Sequence, residues 1–227
     1  MKTAFRRSCC TDRGTSTDME NREYRIVTLP AGTVASDVNW ESIPAASIDN
    51  FFWYEGHTPE TTAKLVYVEG FGFILRMRCA ETDPKAVYTR YNEPVYTDSC
   101  MEFFCDYLGD GRYINMEMNS LGTLLSCIGA DRNDRTPVAD LSGGELFDVK
   151  GEVCEGYWQV TATIPTSLLC KILGVDAIPF GKGYTLRGNF YKCGDETEVV
   201  HFGMWNPVRT ETPDFHRPEY FGTLVMD

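Results

Sequence analysis

The sequence predicts an all-β fold: a single antiparallel β-sandwich, of the immunoglobulin or jelly-roll kind, with one short helix. Three observations lead to this prediction. Short runs of alternating apolar and polar residues recur along the 227 residues, Gly, Asp and Asn separate most of these runs, and neither a break in composition nor an internal repeat divides the chain. Sandwiches of this length routinely form one domain.

The strands are predicted from the two-residue period that places alternate side chains on opposite faces of an extended chain. In the run YWQVTATIP, every second residue from Trp158 to Ile164 is apolar and the residues between them are polar. This pattern is typical of a half-buried strand. Strands are predicted over 24–29, 63–69, 73–80, 100–108, 112–120, 122–130, 146–154, 157–165, 184–193, 199–205 and 221–226.

The predicted helix is the run PTSLLCKIL, residues 165–173. Proline fits the start of a helix, and Thr166 or Ser167 can cap it. The segment is short and amphipathic, so we expect it to close one end of the sandwich.

Residues 1–22 are predicted to be a disordered or poorly ordered tail, and residues 23–227 the sandwich domain. The N-terminus has a basic start but no apolar segment behind it, so it does not resemble a secretory signal. This predicts a cytoplasmic location by default, or export if the start is mis-assigned. No apolar run approaches the roughly 20 residues that cross a bilayer.

The charge of the chain restricts its partners. It carries 21 Lys and Arg against 33 Asp and Glu, a net charge of −12. An acidic body repels phosphate backbones and anionic membranes, so we expect neither nucleic acid nor membrane as a partner. The nine cysteines are odd in number and contain no C-x-x-C pair, which favours free thiols over a disulfide framework or metal cluster.

The run RYINMEMNS, residues 112–120, carries an unusual polar face. Tyr113, Asn115, Glu117 and Asn119 fall on one side of the predicted strand, opposite an apolar side. Amides both donate and accept hydrogen bonds, and carboxylates accept two, as sugar hydroxyls require. The face therefore suits a saccharide. The alternative is that Tyr113 packs under a loop and the amides cap turns.

Catalytic motifs are absent, apart from a pair of acids. The sequence has no zinc-binding spacing, nucleophile elbow or phosphate-binding loop. Glu102 and Glu117 would share a surface if their strands are neighbours, and paired carboxyls can hydrolyse a glycosidic bond. The alternatives are that each acid is solvated or pairs with an arginine such as Arg76, Arg90 or Arg187.

Four runs carry a resemblance to a known family: YTDSCMEFFCDY, YINMEMNSLG, RGNFYKCGD and PDFHRPEYFG. They resemble the family 9 carbohydrate-binding modules, specifically the family 9-like branch, from about residue 23 to 227. The resemblance implies a β-sandwich that holds a saccharide, typically at a chain end. It also implies a role in carbohydrate catabolism without hydrolysis by the module itself, with a glycoside hydrolase as an associated partner and calcium ions supporting the loops.

The resemblance also implies site residues. The family's two sandwiching tryptophans correspond to Tyr96 and Phe215, neither of which is tryptophan here. Glu102, Asn115 and Glu117 match the positions that bind hydroxyl groups, and Asn189 or Tyr191 is a looser match. The complete set of predicted carbohydrate-binding residues is Tyr96, Glu102, Asn115, Glu117, Asn119, Tyr191, Phe215, Arg90 and Trp205. For Trp205, as for Trp53, the alternative is a place in the core, where tryptophan is found more often.

Calcium is the one cofactor with candidate ligands. The acidic turns DYLGDGR and GADRNDR offer the carboxylates of Asp106, Asp110, Asp131 and Asp134, and calcium prefers oxygen ligands. The alternative is that these aspartates only form turns.

Two other functions remain open at this stage. Similar sandwiches in some extracellular cytochromes hold haem through Met and His, and this chain has eight Met, so a haem-binding redox sandwich is one alternative. The other is a protein-interaction sandwich without a small ligand. The saccharide and the oligomeric state are not predicted.

Overall fold

The computed structural model describes residues 21–53, 56 and 58–227. The predicted tail lies outside the described residues except for Asn21 and Arg22, as do Cys9, Cys10 and His57. In the described part, thirteen strands and two α-helices confirm the β-sandwich prediction. No helix in that part is long and apolar enough to cross a bilayer.

The elements of the fold have the following bounds. The strands are β1 Glu23–Leu29, β2 Ala46–Ser47, β3 Thr61–Val68, β4 Gly72–Cys79, β5 Cys100–Asp106, β6 Tyr113–Asn119, β7 Leu124–Gly129, β8 Arg135–Pro137, β9 Asp148–Cys154, β10 Tyr157–Pro165, β11 Thr185–Gly194, β12 His201–Met204 and β13 Gly222–Met226. The helices are α1 Val138–Ser142 and α2 Thr166–Leu173. Every predicted strand is present, whereas β2, β8 and α1 were not predicted.

Strand β1 joins the two layers of the sandwich. Its first half pairs with β13 and its second half with β3. The complete strand order is β8-β7-β6-β5-β11-β13-β1-β3-β4-β10-β9, with β12 beside β11 and β2 beside β3. Both pairings of β1 are parallel, which departs from a purely antiparallel sandwich, and every other strand pairing is antiparallel.

The main core fills the space between the two layers. Alternate residues of β10 from Trp158 to Ile164 are fully buried there, opposite Met116 and Met118 of β6 in the same cluster. Helix α2 adds Leu169 and its apolar neighbours to this cluster. The helix begins after Pro165 without a side-chain cap, so the prediction of a Thr166 or Ser167 cap was wrong.

A second apolar cluster covers the outer face of β5, β6 and β11. Phe104, Tyr113 and Tyr191 project from these strands and pack against Phe215 and Phe221 of the segment between β12 and β13. Both faces of β5 and β6 are therefore buried along their full length. The cover leaves a cavity above the polar residues of the two strands.

The described cysteines are all free thiols. Cys79, Cys100, Cys105 and Cys193 are buried within strands, where they pack as small apolar side chains. For the described residues, the prediction of free thiols over a disulfide framework is confirmed.

Candidate functional site

A cavity of about 360 Å³ lies above the outer face of β5 and β6, at the edge of the second apolar cluster. Its wall is built from strands of one sheet together with the loops that cover them. The lining residues are Tyr96, Glu102, Asn115, Glu117, Leu125, Cys127, Arg132, Arg135, Cys193, Asp195, Phe202, Pro213, Asp214, Phe215 and His216.

The floor of the cavity is set by strand register. Glu102 of β5 lies directly opposite Glu117 of β6, and Asn115 lies two residues away on the same face of β6. The Asn115 Nδ2 atom donates a hydrogen bond to Glu117 Oε1 at 2.7 Å, and the Cys193 thiol donates to Glu102 Oε1 at 3.0 Å. The adjacency of the two acids was predicted only on the condition that their strands are neighbours, which they are.

Burial controls the charge of the two floor acids. It raises the pKa of Glu117 to about 7, against the stabilising hydrogen bond from Asn115. Burial also raises the pKa of Glu102 well above its usual range, and the neighbouring charge of Glu117 raises it further. In the described part of the chain neither acid forms a salt bridge. The charges of Arg135 and Arg132 lower the pKa of Glu117 from the cavity wall, whereas the predicted partners make other contacts: Arg76, Arg90 and Arg187. The pair can therefore present both O–H donors and oxygen acceptors to a ligand.

Arg135 connects the floor to one wall. Its Nη2 atom donates to Asn115 Oδ1 and, at 3.2 Å, to the Cys127 carbonyl oxygen, while its guanidinium lies 4.8 Å from the centre of the Tyr113 ring. These contacts fix the orientation of the Asn115 amide. Arg135 was not predicted, because it lies in a three-residue strand whose pairing with β7 leaves no periodic signal in the sequence.

His216 is a neutral group on the cavity wall. Its Nδ1 atom lies 2.9 Å from the Tyr113 hydroxyl and 3.2 Å from Arg135 Nη1. An arginine only donates, so Nδ1 is the acceptor and the ring proton lies on Nε2. Burial, followed by the charges of Arg135 and Arg132, lowers the pKa of His216 to about 3. The ring therefore offers an N–H donor and no charge.

Two predicted aromatic residues line the cavity in different ways. Phe215 is stacked on Tyr191, with ring centres 4.1 Å apart and planes inclined by 14°, and it also contacts Trp53. It is only 7% exposed, so it belongs to the second apolar cluster as well as to the wall. Tyr96 is 41% exposed and is the accessible ring of the two.

Charged groups surround the loop that carries Phe215. Asp214 forms ion pairs with Arg217 at 2.7 Å and with Arg132 at 3.3 Å, and its Oδ1 atom accepts a hydrogen bond from the backbone N–H of His216. These contacts hold the loop against the cavity. Asp195 also lines the cavity, from the turn that follows β11. These four charged residues were not predicted as binding residues, because they lie in loops without a periodic pattern: Arg132, Asp195, Asp214 and Arg217.

Five of the predicted binding residues lie together in the cavity: Tyr96, Glu102, Asn115, Glu117 and Phe215. The other four do not line it. The Asn119 side chain bonds to Asp98 and to backbone groups of the hairpin turn that follows β6, as the turn-capping alternative holds. Arg90 is exposed and pairs with Glu93.

The two remaining residues are buried. Tyr191 lies beneath Phe215, and its hydroxyl donates to the Phe215 carbonyl oxygen at 3.1 Å, so it supports the wall from below. Trp205 packs in the main core against Tyr24 and Phe190. Asn189, the looser match, holds the backbone of Asn206, and Tyr113 packs under the covering segment, as the alternative for that residue holds.

The predicted calcium ligands are engaged by their own turns. Both carboxylate oxygens of Asp106 accept backbone N–H groups, Asp131 accepts two more, and Asp110 pairs with Arg112. Within the described residues, neither acidic turn brings three His, Cys, Asp or Glu side chains close together. These carboxylates therefore act as turn-forming groups, and calcium stays a prediction of the family resemblance.

Comparison with known proteins identifies relatives of this chain. It is 27% identical to a candidate carbohydrate-binding protein of Bacteroides uniformis ATCC 8492, with a TM-score of 0.75 over 91% of this chain and 100% of that one. A family 9 module of Caldicellulosiruptor kristjanssonii, solved with glucose, is 11% identical with a TM-score of 0.63 over 91% and 96% of the two chains. A family 9 module from the same organism, solved with cellotriose, is also 11% identical, with a TM-score of 0.60 over 90% of this chain and 93% of that one.

The family itself is shown by a profile match. No curated protein matches the chain. The profile of carbohydrate-binding family 9 matches residues 33–226, which include every strand from β2 to β13 and all the residues that line the cavity. The chain belongs to carbohydrate-binding family 9.

Proposed function

We propose that the cavity above β5 and β6 binds the end of a saccharide chain without hydrolysing it. One observation carries the proposal: a floor of buried polar side chains, Glu102, Asn115 and Glu117, opens into a cavity whose wall includes the ring of Phe215 and the exposed ring of Tyr96. Buried polar groups that face an opening are able to exchange their contacts with water for contacts with a ligand.

The chemistry of the lining suits a neutral sugar. A sugar ring carries a rim of hydroxyl groups that both donate and accept hydrogen bonds. The two floor carboxyls can donate or accept because burial favours their neutral forms, and the His216 ring donates from Nε2. The C–H face of a sugar ring packs against the negative face of an aromatic ring, which Tyr96 can provide.

The size of the cavity favours a short ligand. Its volume of about 360 Å³ lies near the lower end of the range for ligand pockets, about 300–1,000 Å³. We therefore infer that the cavity takes one or two sugar rings. The similar family 9 modules were solved with glucose and cellotriose, so glucose-containing oligosaccharides are the first ligands to test.

The geometry favours binding over glycoside hydrolysis. A hydrolase needs one protonated and one ionised carboxyl on either side of the scissile bond. Glu102 and Glu117 instead lie side by side on adjacent strands of one floor, and in the described part of the chain no ion pair stabilises either of them as a carboxylate. A hydrolase partner remains an implication of the family.

The haem alternative gains no support from the described residues. His201 contacts Lys192 and His216 contacts Arg135, while Met116 and Met118 point into the main core, away from the cavity. No described Met lines the cavity, whose wall includes His216.

Calorimetric titration with glucose and cellotriose tests the proposal, with Tyr96→Ala as the cavity variant and Phe71→Ala as its control. Phe71 is also partly exposed, at 37%, but lies in the β3–β4 hairpin outside the cavity. We expect Tyr96→Ala to lose most of the affinity and Phe71→Ala to keep it. Equal affinity in the two variants would place the binding site elsewhere. Release of sugar from an oligosaccharide by the wild-type protein would contradict the non-catalytic assignment.

A further inference from the structure

Two thiols and a carboxyl group meet at one end of the cavity floor. Cys100 and Glu102 are two residues apart on β5, so their side chains project from the same face. Cys193 of β11 lies directly opposite Cys100 in the strand register. We refer to Cys100, Glu102 and Cys193 as the Cys–Glu cluster.

The ligand atoms of this cluster are close enough to share one ion. The two Sγ atoms and a carboxylate oxygen all lie within 4.8 Å of one another, and the Cys193 Sγ to Glu102 Oε1 distance is 3.0 Å. Among the described residues, no other group of three Cys, His, Asp or Glu side chains comes this close together. All three are at most 2% exposed, so strand packing fixes their positions.

An ion could reach the cluster from the cavity. Glu102 and Cys193 line the cavity, while Cys100 lies behind them and is fully buried. An ion held by the three side chains would therefore have a coordination position directed at the cavity, for water or another oxygen ligand. Glu117, directly opposite Glu102, provides a second carboxyl within the same floor.

The ligand types select a class of metal. Sulfur ligands disfavour calcium and magnesium, which prefer oxygen, and favour zinc and similar soft divalent ions. Two thiolates, one carboxylate and one open position make the tetrahedral set typical of zinc. No Lys or Arg forms an ion pair with Glu102 in the described part of the chain, so a divalent cation would supply the positive charge that the deprotonated cluster requires.

We propose that Cys100, Cys193 and Glu102 form a binding site for a thiophilic divalent cation such as Zn²⁺, with one coordination position open to the cavity. Binding exchanges protons for the ion: both S–H bonds and the carboxyl O–H bond break, three metal–ligand bonds form, and three protons pass to solvent. The site goes beyond the proposed saccharide binding, and neither requires the other.

Cobalt substitution tests the site in the full chain. The protein is kept reduced with a phosphine, because cysteines opposite each other on paired strands can be close enough to form a disulfide. We expect one Co²⁺ per chain, thiolate-to-cobalt charge-transfer absorption, visible bands typical of tetrahedral cobalt, and loss of these signals when Zn²⁺ is added. No saccharide is present, so failure here does not bear on saccharide binding.

Three variants locate the ligands. Cys193→Ser should remove most of the charge-transfer absorption, and Glu102→Gln should keep it while weakening affinity by about tenfold or more, since even outer-shell partners contribute that much. Cys127→Ser is the matched control, because Cys127 also lines the cavity but lies outside the cluster. Its absorption should equal that of the wild type. Absorption at the wild-type level in Cys193→Ser, or its loss in Cys127→Ser, would overturn the assignment.

A measurement on the wild-type protein avoids variants that fail to fold. X-ray absorption at the zinc edge should show two sulfur neighbours at about 2.3 Å and oxygen neighbours at about 2.0–2.2 Å. A shell of nitrogen and oxygen alone, or no binding of either metal by the reduced protein, would refute the proposal.

Discussion

Acidification should destabilise the protein through His216. The imidazole is largely buried, and its Nδ1 atom accepts contacts from the Tyr113 hydroxyl and from Arg135. Protonation would add a cation beside Arg135 and Arg132 and would remove the acceptor on which these contacts depend. The folded protein therefore keeps this ring neutral.

The sign and the size of this effect follow from the pKa of His216. The folded state lowers that pKa from 6.5 to about 3, so below pH 6.5 the unfolded chain binds more protons than the folded one. The stability that depends on neutral His216 is complete above pH 6.5 and declines as the pH falls towards 3. At pH 5, which lies 1.5 pH units below the ordinary pKa of 6.5, the free energy of unfolding is lower by about 2 kcal/mol at most. Partial exposure of the ring reduces this loss to about 1–2 kcal/mol.

Denaturant unfolding of the wild type and of His216→Asn at pH 7 and pH 5 measures this effect. Asparagine keeps an acceptor oxygen but does not titrate in this range, so other titrating groups affect both proteins equally. We expect the wild type to lose about 1–2 kcal/mol more stability than the variant between the two pH values. Equal losses would show that His216 is not held neutral by its surroundings, and would refute this account of the cavity wall.

Three further predictions distinguish binding residues from core residues. Tyr96→Ala should remove saccharide affinity with little change in melting temperature, whereas Phe215→Ala should lower both, because Phe215 is only 7% exposed. Calorimetry measures the affinity and thermal melts measure the stability; an equal drop in melting temperature in the two variants would contradict this prediction. Glu117→Gln should weaken binding by about threefold to thirtyfold. Met116 faces the main core, so Met116→Ala should leave affinity intact and cost about 2–5 kcal/mol of stability in denaturant unfolding. A loss of affinity only in Met116→Ala would reverse the assigned faces. Lys192→Met should cost about 3–5 kcal/mol in the same assay, because Lys192 is fully buried 3.4 Å from the Glu81 carboxylate; a cost below about 1 kcal/mol would show that this ion pair contributes little.

The strands were predictable because one-sided burial leaves a period of two in the sequence. Strand β10 shows this relation directly: its apolar residues are buried and its polar residues are partly exposed. Strands β2 and β8, with two and three residues, are too short to show a period. The parallel pairing of β1 with β13 was not predictable from local pattern, because it joins the first and last strands of the chain.

The floor of the cavity was predictable in part. Strand phase placed Asn115 and Glu117 on one face and made Glu102 their neighbour if the two strands pair. The family resemblance added hydroxyl binding as the role of Glu102. Neither pattern showed that this face is buried, because the cover comes from a segment about 100 residues later in the chain. Arg135 and His216 meet the floor only through that long-range packing, so no local pattern in the sequence marks them.

The most direct test of saccharide binding is to map the bound ligand on the protein. A crystal structure with cellotriose, or backbone amide shifts recorded during a cellotriose titration, would locate it. We predict a sugar ring beside Tyr96 with hydroxyl groups bonded to Glu102 and Glu117, or shifts centred on β5, β6 and the 213–216 loop. A ligand bound instead in a second depression of the surface, lined by residues that include Tyr67, Phe180 and Lys182, would contradict this prediction, as would no binding at all.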